Sequence, residues 1–380
     1  MQLSVIILNY NVSFFLEQCV LSVQKALSTI DGEIIVIDNN SSDDSCAMMK
    51  ELFPNVKLIE NKENLGFPKG NNIGVAQANG DYICILNPDT VVAEDTFIKI
   101  LNFVTLSEVE VPNYEIGIIG CKLIDGTGNF LPESKRGVPT PWVAFTKIFG
   151  LYKISKVFGK YYAQHLTENQ SGQVDILVGA FMVMKRELYN EIGGFDENCF
   201  MYSDDIDLSY MALKKGKTNY YFHETTVIHY KGESTNRDEK YMKRFQEAMN
   251  FFYTKHFKKS VVFDFFMKIG VFVFSFIKKN QSKEIKRTID EYIIFSKDSL
   301  QLNLNKKETI LNDFSEFNNN VNLNTEIIFD TKSFSYMEII DFMNSNKSKN
   351  LTFKNYISNS HYLIGSNNSI DRGEIITLKN

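Results

Sequence analysis

Residues 1–125 alternate short apolar runs with helical patterns, and this alternation narrows the possible folds more than any other feature of the chain. Gln2 to Leu8, Glu33 to Asp38, Val56 to Glu60, Asp81 to Leu86 and Ile116 to Ile124 read as strands. Ser13 to Leu27, a short stretch ending at Leu52, Lys69 to Ala78 and Glu94 to Val104 read as helices between them. The strand-like runs are apolar at successive positions, so both faces must be covered. That pattern predicts an α/β fold with a mostly parallel central sheet and helices on both sides.

The rest of the chain is less uniform. Residues 126–173 hold Pro132, Pro139, Pro141, several Tyr and Lys, and the single tryptophan, Trp142, which suits an insertion or loop. A second block follows, with a strand over Ile176 to Met184, helices over Arg186 to Ile192 and Asp204 to Lys214, and strands around Tyr220 and Val227. Residues 236–280 look helical. From about 281 the composition shifts to Asn, Lys and Ser. Strand-like pieces recur at Glu326 to Asp330, Tyr362 to Ile364 and Glu374 to Leu378, with a helix from Ser335 to Met343. The expected organisation is a catalytic unit over 1–235, a helical segment over 236–280 and a small separate α/β appendix over 281–380.

Composition excludes several classes. The hydrophobic content is 44% and the aromatic content 13%, ample for a packed core. A net charge of -5 with scattered Lys and Arg argues against nucleic-acid binding. Five widely spaced cysteines form no C-x-x-C pair, so neither a zinc ribbon nor a disulfide framework is signalled, and a reducing compartment is expected. No charged region precedes the first strand, which argues against a signal peptide and for a cytoplasmic location. Val261 to Ile277 is apolar but short, interrupted by Asp264 and Lys268, with lysine pairs on both sides. It suits a helix buried on the catalytic unit or one lying in an anionic membrane surface. The flanking lysines favour contact through 258–279 at the cytoplasmic face of the membrane.

Two acidic clusters carry the chemistry. The first closes an apolar run, Leu86-Asn87-Pro88-Asp89; the second is Ser203-Asp204-Asp205-Ile206-Asp207, and His229 ends a later run. Proline stops the ladder and displays Asp89 at the sheet edge, where it is either a turn residue or a ligand to Mg2+ or Mn2+. Three aspartates in four residues exceed what helix capping needs. Their crowding raises at least one pKa and makes a base or metal site plausible. His229 alone reads equally as a buried, hydrogen-bonded histidine. The first strand-to-helix turn, Asn9-Tyr10-Asn11-Val12-Ser13, has no glycine, so a dinucleotide fingerprint is missing and a cation becomes the substitute for a phosphate loop. Asp38 either binds a base or ribose or starts a turn. Asn64-Leu65-Gly66-Phe67 and the following Asn71 make either a nucleotide-facing loop or a glycine-tolerant helix start.

Taken together, these motifs resemble glycosyltransferase family 2, the inverting enzymes with a GT-A fold. The order is an asparagine-ended first strand, Val36-Ile37-Asp38-Asn39-Asn40-Ser41-Ser42-Asp43, Asn64-x-Gly66-Phe67, Leu86-Asn87-Pro88-Asp89, Gly193-Gly194-Phe195-Asp196-Glu197, the acidic helix start and His229, over roughly 1–255. It is most similar to the rhamnosyltransferase-like branch, which has N-P-D in place of D-x-D. The resemblance implies that Asp205, with Asp204 beside it, is the general base. It implies Asp89 and His229 as ligands to Mg2+ or Mn2+. Asn9, Asp38, Asn40, Asn64, Gly66, Phe67, Asn71 and Asn87 would face the donor, and Gly193, Gly194 and Trp142 the acceptor. The family's E-D-x-D-L-x-x-R arginine is Met211 here, so another cation must serve, with Lys69, Lys185, Arg186 and Lys231 as candidates.

The implied activity is transfer of a sugar from a nucleotide-diphospho-sugar, dTDP-rhamnose or a UDP-sugar, to a hydroxyl of a glycan or lipid-linked acceptor in cell-surface polysaccharide assembly. The alternative is a degenerate nucleotide-sugar-binding or scaffold protein, for which Met211 is the one sequence feature. A sugar nucleotidyltransferase would want a Gly-rich basic loop after the first strand, which is missing.

Overall fold

A computed structural model describes residues 1–110, 115–140, 142–143, 146, 150–230, 239–257, 288–318, 324–347, 351–367 and 373–378. The segment Val261 to Ile277, the proposed contact 258–279 and Lys231 lie outside the described residues.

The N-terminal half builds a sheet from β1 (Leu3–Asn9), β2 (Gly32–Asp38), β3 (Lys57–Glu60), β4 (Tyr82–Leu86), β5 (Thr90–Val92), β6 (Ile116–Ile124), β7 (Gly172–Gln173), β8 (Phe181–Lys185) and β9 (Thr218–His229). Its order is β3-β2-β1-β4-β8-β6-β9-β5, with β7 on β9. Strands β1 to β4 are parallel, and every residue of β1 is buried, as the unbroken apolar runs require. The helices α1 (Ser13–Ala26), α2 (Ser45–Leu52), α3 (Gly66–Val75), α4 (Thr96–Glu110), α5 (Arg186–Glu191), α6 (Asp204–Lys214) and α7 (Glu239–His256) complete this part. This is the mixed α/β, GT-A-type architecture that the sequence predicted.

Strands β5 and β7 pair antiparallel with β9 near the edge, and β8 breaks the parallel pattern at the centre. It runs antiparallel to both neighbours, pairing Phe181 with Leu86 of β4 and Met184 with Ile118 of β6. Its first residue therefore sits at the carboxyl edge of β4, where the first acidic cluster begins. The predicted strands near Tyr220 and Val227 are one strand, β9, whose register to β6 shifts between Cys121 and Lys122. Helix α3 starts at Gly66, not at Lys69. Gly66 has φ +80°, and a Cβ there would lie 2.8 Å from the Phe200 ring, so only glycine fits.

The C-terminal residues form a second sheet, β11-β10-β12-β13-β14-β15, from β10 (Glu291–Phe295), β11 (Lys307–Leu311), β12 (Thr325–Asp330), β13 (Thr352–Ile357), β14 (Tyr362–Ser366) and β15 (Glu374–Thr377). Helix α8 (Tyr336–Asn346) follows β12. This appendix, expected to stand apart, is packed on the first sheet. Phe15, Val91, Ile228 and Tyr230 share one buried cluster with Phe329, Tyr336, Ile339 and Tyr362. Polar contacts fix the angle of approach. The Glu94 carboxylate accepts the Tyr336 and Met337 backbone N–H groups, both at 2.9 Å, and so caps α8 from outside. Glu94→Ala should lower stability by about 1 kcal/mol, read from urea unfolding, and Glu94→Gln by less.

Candidate active site

The donor-side residues gather at the carboxyl edge of β1 and β2. Asn9 and Asp38 are register partners, and Asn9 Nδ2 donates to Asp38 Oδ1 at 2.7 Å. The Ser41 N–H donates to Asp38 Oδ2 at 2.8 Å, so Asp38 does start a turn. Asn40 in that turn has φ +63° and is exposed. Asn64 Oδ1 accepts the Gly66 N–H at 3.0 Å, and Asn39 Nδ2 reaches the Gly66 carbonyl at 3.1 Å. Asn39 thereby ties the Asp38 turn to the start of α3. The Phe67 ring meets Phe195 edge-on. Asn71 is turned into its own helix: it is fully buried, and its Nδ2 bonds the Phe67 carbonyl at 2.9 Å.

The first acidic cluster closes on His229. Thr90 of β5 pairs with His229 of β9, and Tyr230 N–H donates to the Asp89 carbonyl at 3.0 Å. His229 Nε2 lies 3.4 Å from Asp89 Oδ1 and 3.4 Å from Asn87 Nδ2. Asp89 and His229 are buried, and His229 Nδ1 has no hydrogen-bond partner among the described residues. One carboxylate and one imidazole side by side suit a divalent cation that completes its shell on substrate oxygens. Among the described residues no three or more His, Cys, Asp or Glu are placed to hold a metal ion by themselves, so an all-protein cage is not built there.

The second cluster opens α6, and its three carboxylates have three different fates. Asp205 Oδ2 accepts Arg136 Nη2 at 2.6 Å and the Gly179 N–H at 3.0 Å. Burial works against the Arg136 charge, but Asp205 beside it more than compensates, so the guanidinium stays charged. Asp207 is bound by His256 Nε2 at 2.5 Å and Lys255 Nζ at 2.8 Å, both from the end of α7. Among the described residues Asp204 has no cation of its own, and its buried Oδ1 has no hydrogen-bond partner. Burial first, and the Asp205 charge second, push its pKa up to about 7.

One turn joins the two clusters. Gly179 donates to Asp205, and the next carbonyl, Ala180 O, accepts the Asn87 N–H at 3.1 Å. Gly179 packs closely: a Cβ would lie 3.3 Å from that of Asp205 and in ordinary contact, 3.6 Å, with the Phe67 ring. Asn87 and Asp205 thus border the same turn before β8, and His229 lies beside Asn87 and Asp89.

The predicted acceptor-side residues separate. Gly193 and Gly194, both at positive φ, line a hollow of about 360 Å³ with Asn72, Phe195, Met211 and Lys255. Trp142 is not part of that lining; it is 59% exposed, and its ring lies edge-on to Phe158. Of the cations proposed to replace the missing arginine, Lys185 and Arg186 border a different hollow with Asp81 and Tyr82, at the opposite end of β4. Lys69 is exposed on α3.

The family model described as glycosyl transferase family 2 matches residues 4–193. The chain belongs to glycosyltransferase family 2. It is an enzyme of the hexosyltransferase type, in polysaccharide or glycan biosynthesis. It is 24% identical over 216 residues to the N-acetylglucosaminyl-diphospho-decaprenol L-rhamnosyltransferase of Mycobacterium tuberculosis, covering 54% of this chain and 68% of that one. It is 28% identical over 225 residues to rhamnosyltransferase WbbL of Escherichia coli, covering 55% and 78%. A mannosyltransferase structure from Pyrobaculum calidifontis superposes with a TM-score of 0.45 at 17% identity, covering 73% of this chain and 69% of that one.

Three side chains that bind the acidic start of α6 were missed from the sequence. Arg136 and Lys255 supply the charge that Met211 cannot, His256 adds a hydrogen bond to Asp207, and Met211 packs against an apolar cluster. Only Asp207 left a signal: a third carboxylate one helical turn from an absent arginine must find its cation elsewhere.

The Asp204 carboxyl predicts a pH dependence of stability. Its folded pKa of about 7 lies above the ordinary 3.8, so its favourable contribution is fully present below pH 3.8 and is lost as pH rises through about 7. Asp204→Asn should therefore gain stability relative to the native chain between pH 5 and pH 8, on the order of a few kcal/mol, read by urea unfolding in metal-free buffer.

Proposed function

We propose that this enzyme transfers a sugar, with inversion, from a nucleotide-diphospho-sugar to a hydroxyl of a lipid-linked glycan in cell-surface polysaccharide assembly. The observation that carries the reading is the turn at Gly179 and Ala180, which borders both acidic clusters. dTDP-rhamnose is the donor to test first, because two relatives are rhamnosyltransferases by name; a UDP-sugar comes next. The site of action is the cytoplasmic face of a membrane.

Each residue then has one task. Asn9, Asp38, Asn40 and Asn64 border the nucleoside pocket, with Gly66 and Phe67 as its wall. Asn71 supports that wall from inside α3. Asp89 and His229, with Asn87 beside them, would hold Mg2+ or Mn2+; when bound, the cation supplies positive charge for the leaving diphosphate. Asp205 is the general base. Arg136 and Gly179 occupy its Oδ2, which leaves Oδ1 for the acceptor. The acceptor hydroxyl gives its proton to Asp205 as its oxygen bonds to the anomeric carbon. The bond from that carbon to the phosphate oxygen breaks, and the electron pair leaves with the nucleoside diphosphate. A single displacement inverts the configuration, through a transition state of oxocarbenium character. Gly193 and Gly194 shape the acceptor side.

Diphosphate release from a panel of nucleotide sugars tests the reading. Asp205→Asn should lower turnover about 100-fold or more, with the donor KM little changed. Native turnover in that variant would discard the base assignment. Asp89→Ala and His229→Ala should each weaken Mn2+-dependent binding of dTDP or UDP about tenfold or more, measured by calorimetry.

A further inference from the structure

We propose that the insertion between Ser134 and Thr167 is a docking surface for an anionic lipid bilayer. Over these residues the chain carries six basic side chains and no acidic one, against a net charge of -5 for the whole. Two of the six turn inward. Lys135 Nζ donates to the carbonyls of Tyr162, Ala163 and Leu166 at 3.1, 3.2 and 2.9 Å, and Arg136 holds Asp205. The Gly137 N–H donates to the Tyr161 carbonyl at 3.1 Å. The two ends of the insertion are thus tied together beside the carboxylate of Asp205.

The exposed side chains of the insertion are both apolar and basic. Ile154 is 78% exposed and Trp142 is 59% exposed; among the described residues no large apolar side chain is more exposed than Ile154. Phe158 connects them: its ring meets Trp142 at 6.4 Å, and its N–H closes a turn on Ser155, next to Ile154. Lys153 and Lys160 are exposed on the same stretch. A soluble polyanion would use the lysines and gain nothing from Ile154. A bilayer uses all of them: the lysines lie at the anionic headgroups, the indole sits at the interface and the isoleucine enters the acyl boundary. Resting on the lipid-linked acceptor proposed above, this contact would set Asp205 at headgroup height, where the sugar of such an acceptor ends.

Trp142 is the one tryptophan in the chain, so its fluorescence reports this surface directly. The full chain is titrated with vesicles of phosphatidylglycerol and phosphatidylcholine, with phosphatidylcholine alone, and with dextran sulfate. The expected result is a shift of emission to shorter wavelength, and quenching by lipids brominated on the acyl chain, with the anionic vesicles only. Ile154→Asp should cut vesicle affinity about tenfold. Lys153→Ala and Lys160→Ala should each cut it about fivefold. Circular dichroism should be unchanged in all three variants. Unchanged emission, whether or not the chain sediments with the vesicles, would overturn the proposal, as would the same shift with dextran sulfate. No sugar is present, so the outcome is independent of the Asp205→Asn experiment.

Discussion

The hydrogen bonds of one turn, Gly179 to Asp205 and Asn87 to Ala180, hold the candidate site together. They exist because β8 runs antiparallel between β4 and β6. In a wholly parallel sheet the start of each strand lies at the far edge from the ligand crevice. Reversing one central strand brings its first residues to that crevice. The two acidic clusters, more than 100 residues apart in the chain, meet on either side of it. A side chain at 179 would press on Asp205, whose Cβ would lie 3.3 Å away, so glycine eases the close approach of this turn.

Charge is then shared out by burial and partner. Three aspartates open α6, but among the described residues only two receive cations: Asp205 from Arg136 and Asp207 from Lys255, with the His256 ring also donating to Asp207. Asp204 is left buried and unpaired, and its proton is held to about pH 7. Breaking either ion pair would leave a buried carboxylate uncompensated, which is far more costly than the pair is favourable. The loss of the arginine at Met211 is therefore tolerable only because α7 delivers its own basic end to Asp207.

The second sheet belongs to the same argument. Its aromatic cluster backs α1, β5 and the end of β9, and Asn355 Nδ2 reaches Tyr230 Oη at 3.4 Å. Tyr230 follows His229 and bonds Asp89 through the backbone. The C-terminal unit thus packs behind the strand end that carries His229.

Much of this was legible in the sequence. Unbroken apolar runs required a sheet covered on both faces, and the helix over Asp204–Lys214 was read with its bounds intact, because an acidic first turn and a basic last turn mark both ends. Asn9, Asp38 and Asp89 were singled out as candidates because Asn9 and Asp38 end apolar strands and Asp89 lies just beyond one. Arg136, Lys255, His256 and Gly179 were not, because each acts through a contact distant in sequence and its own neighbours look ordinary. The chain alone determined which segments become strands and helices, since that follows from local periodicity. Only the tertiary structure decided which cation meets which carboxylate, because that depends on strand direction and on where α7 comes to rest.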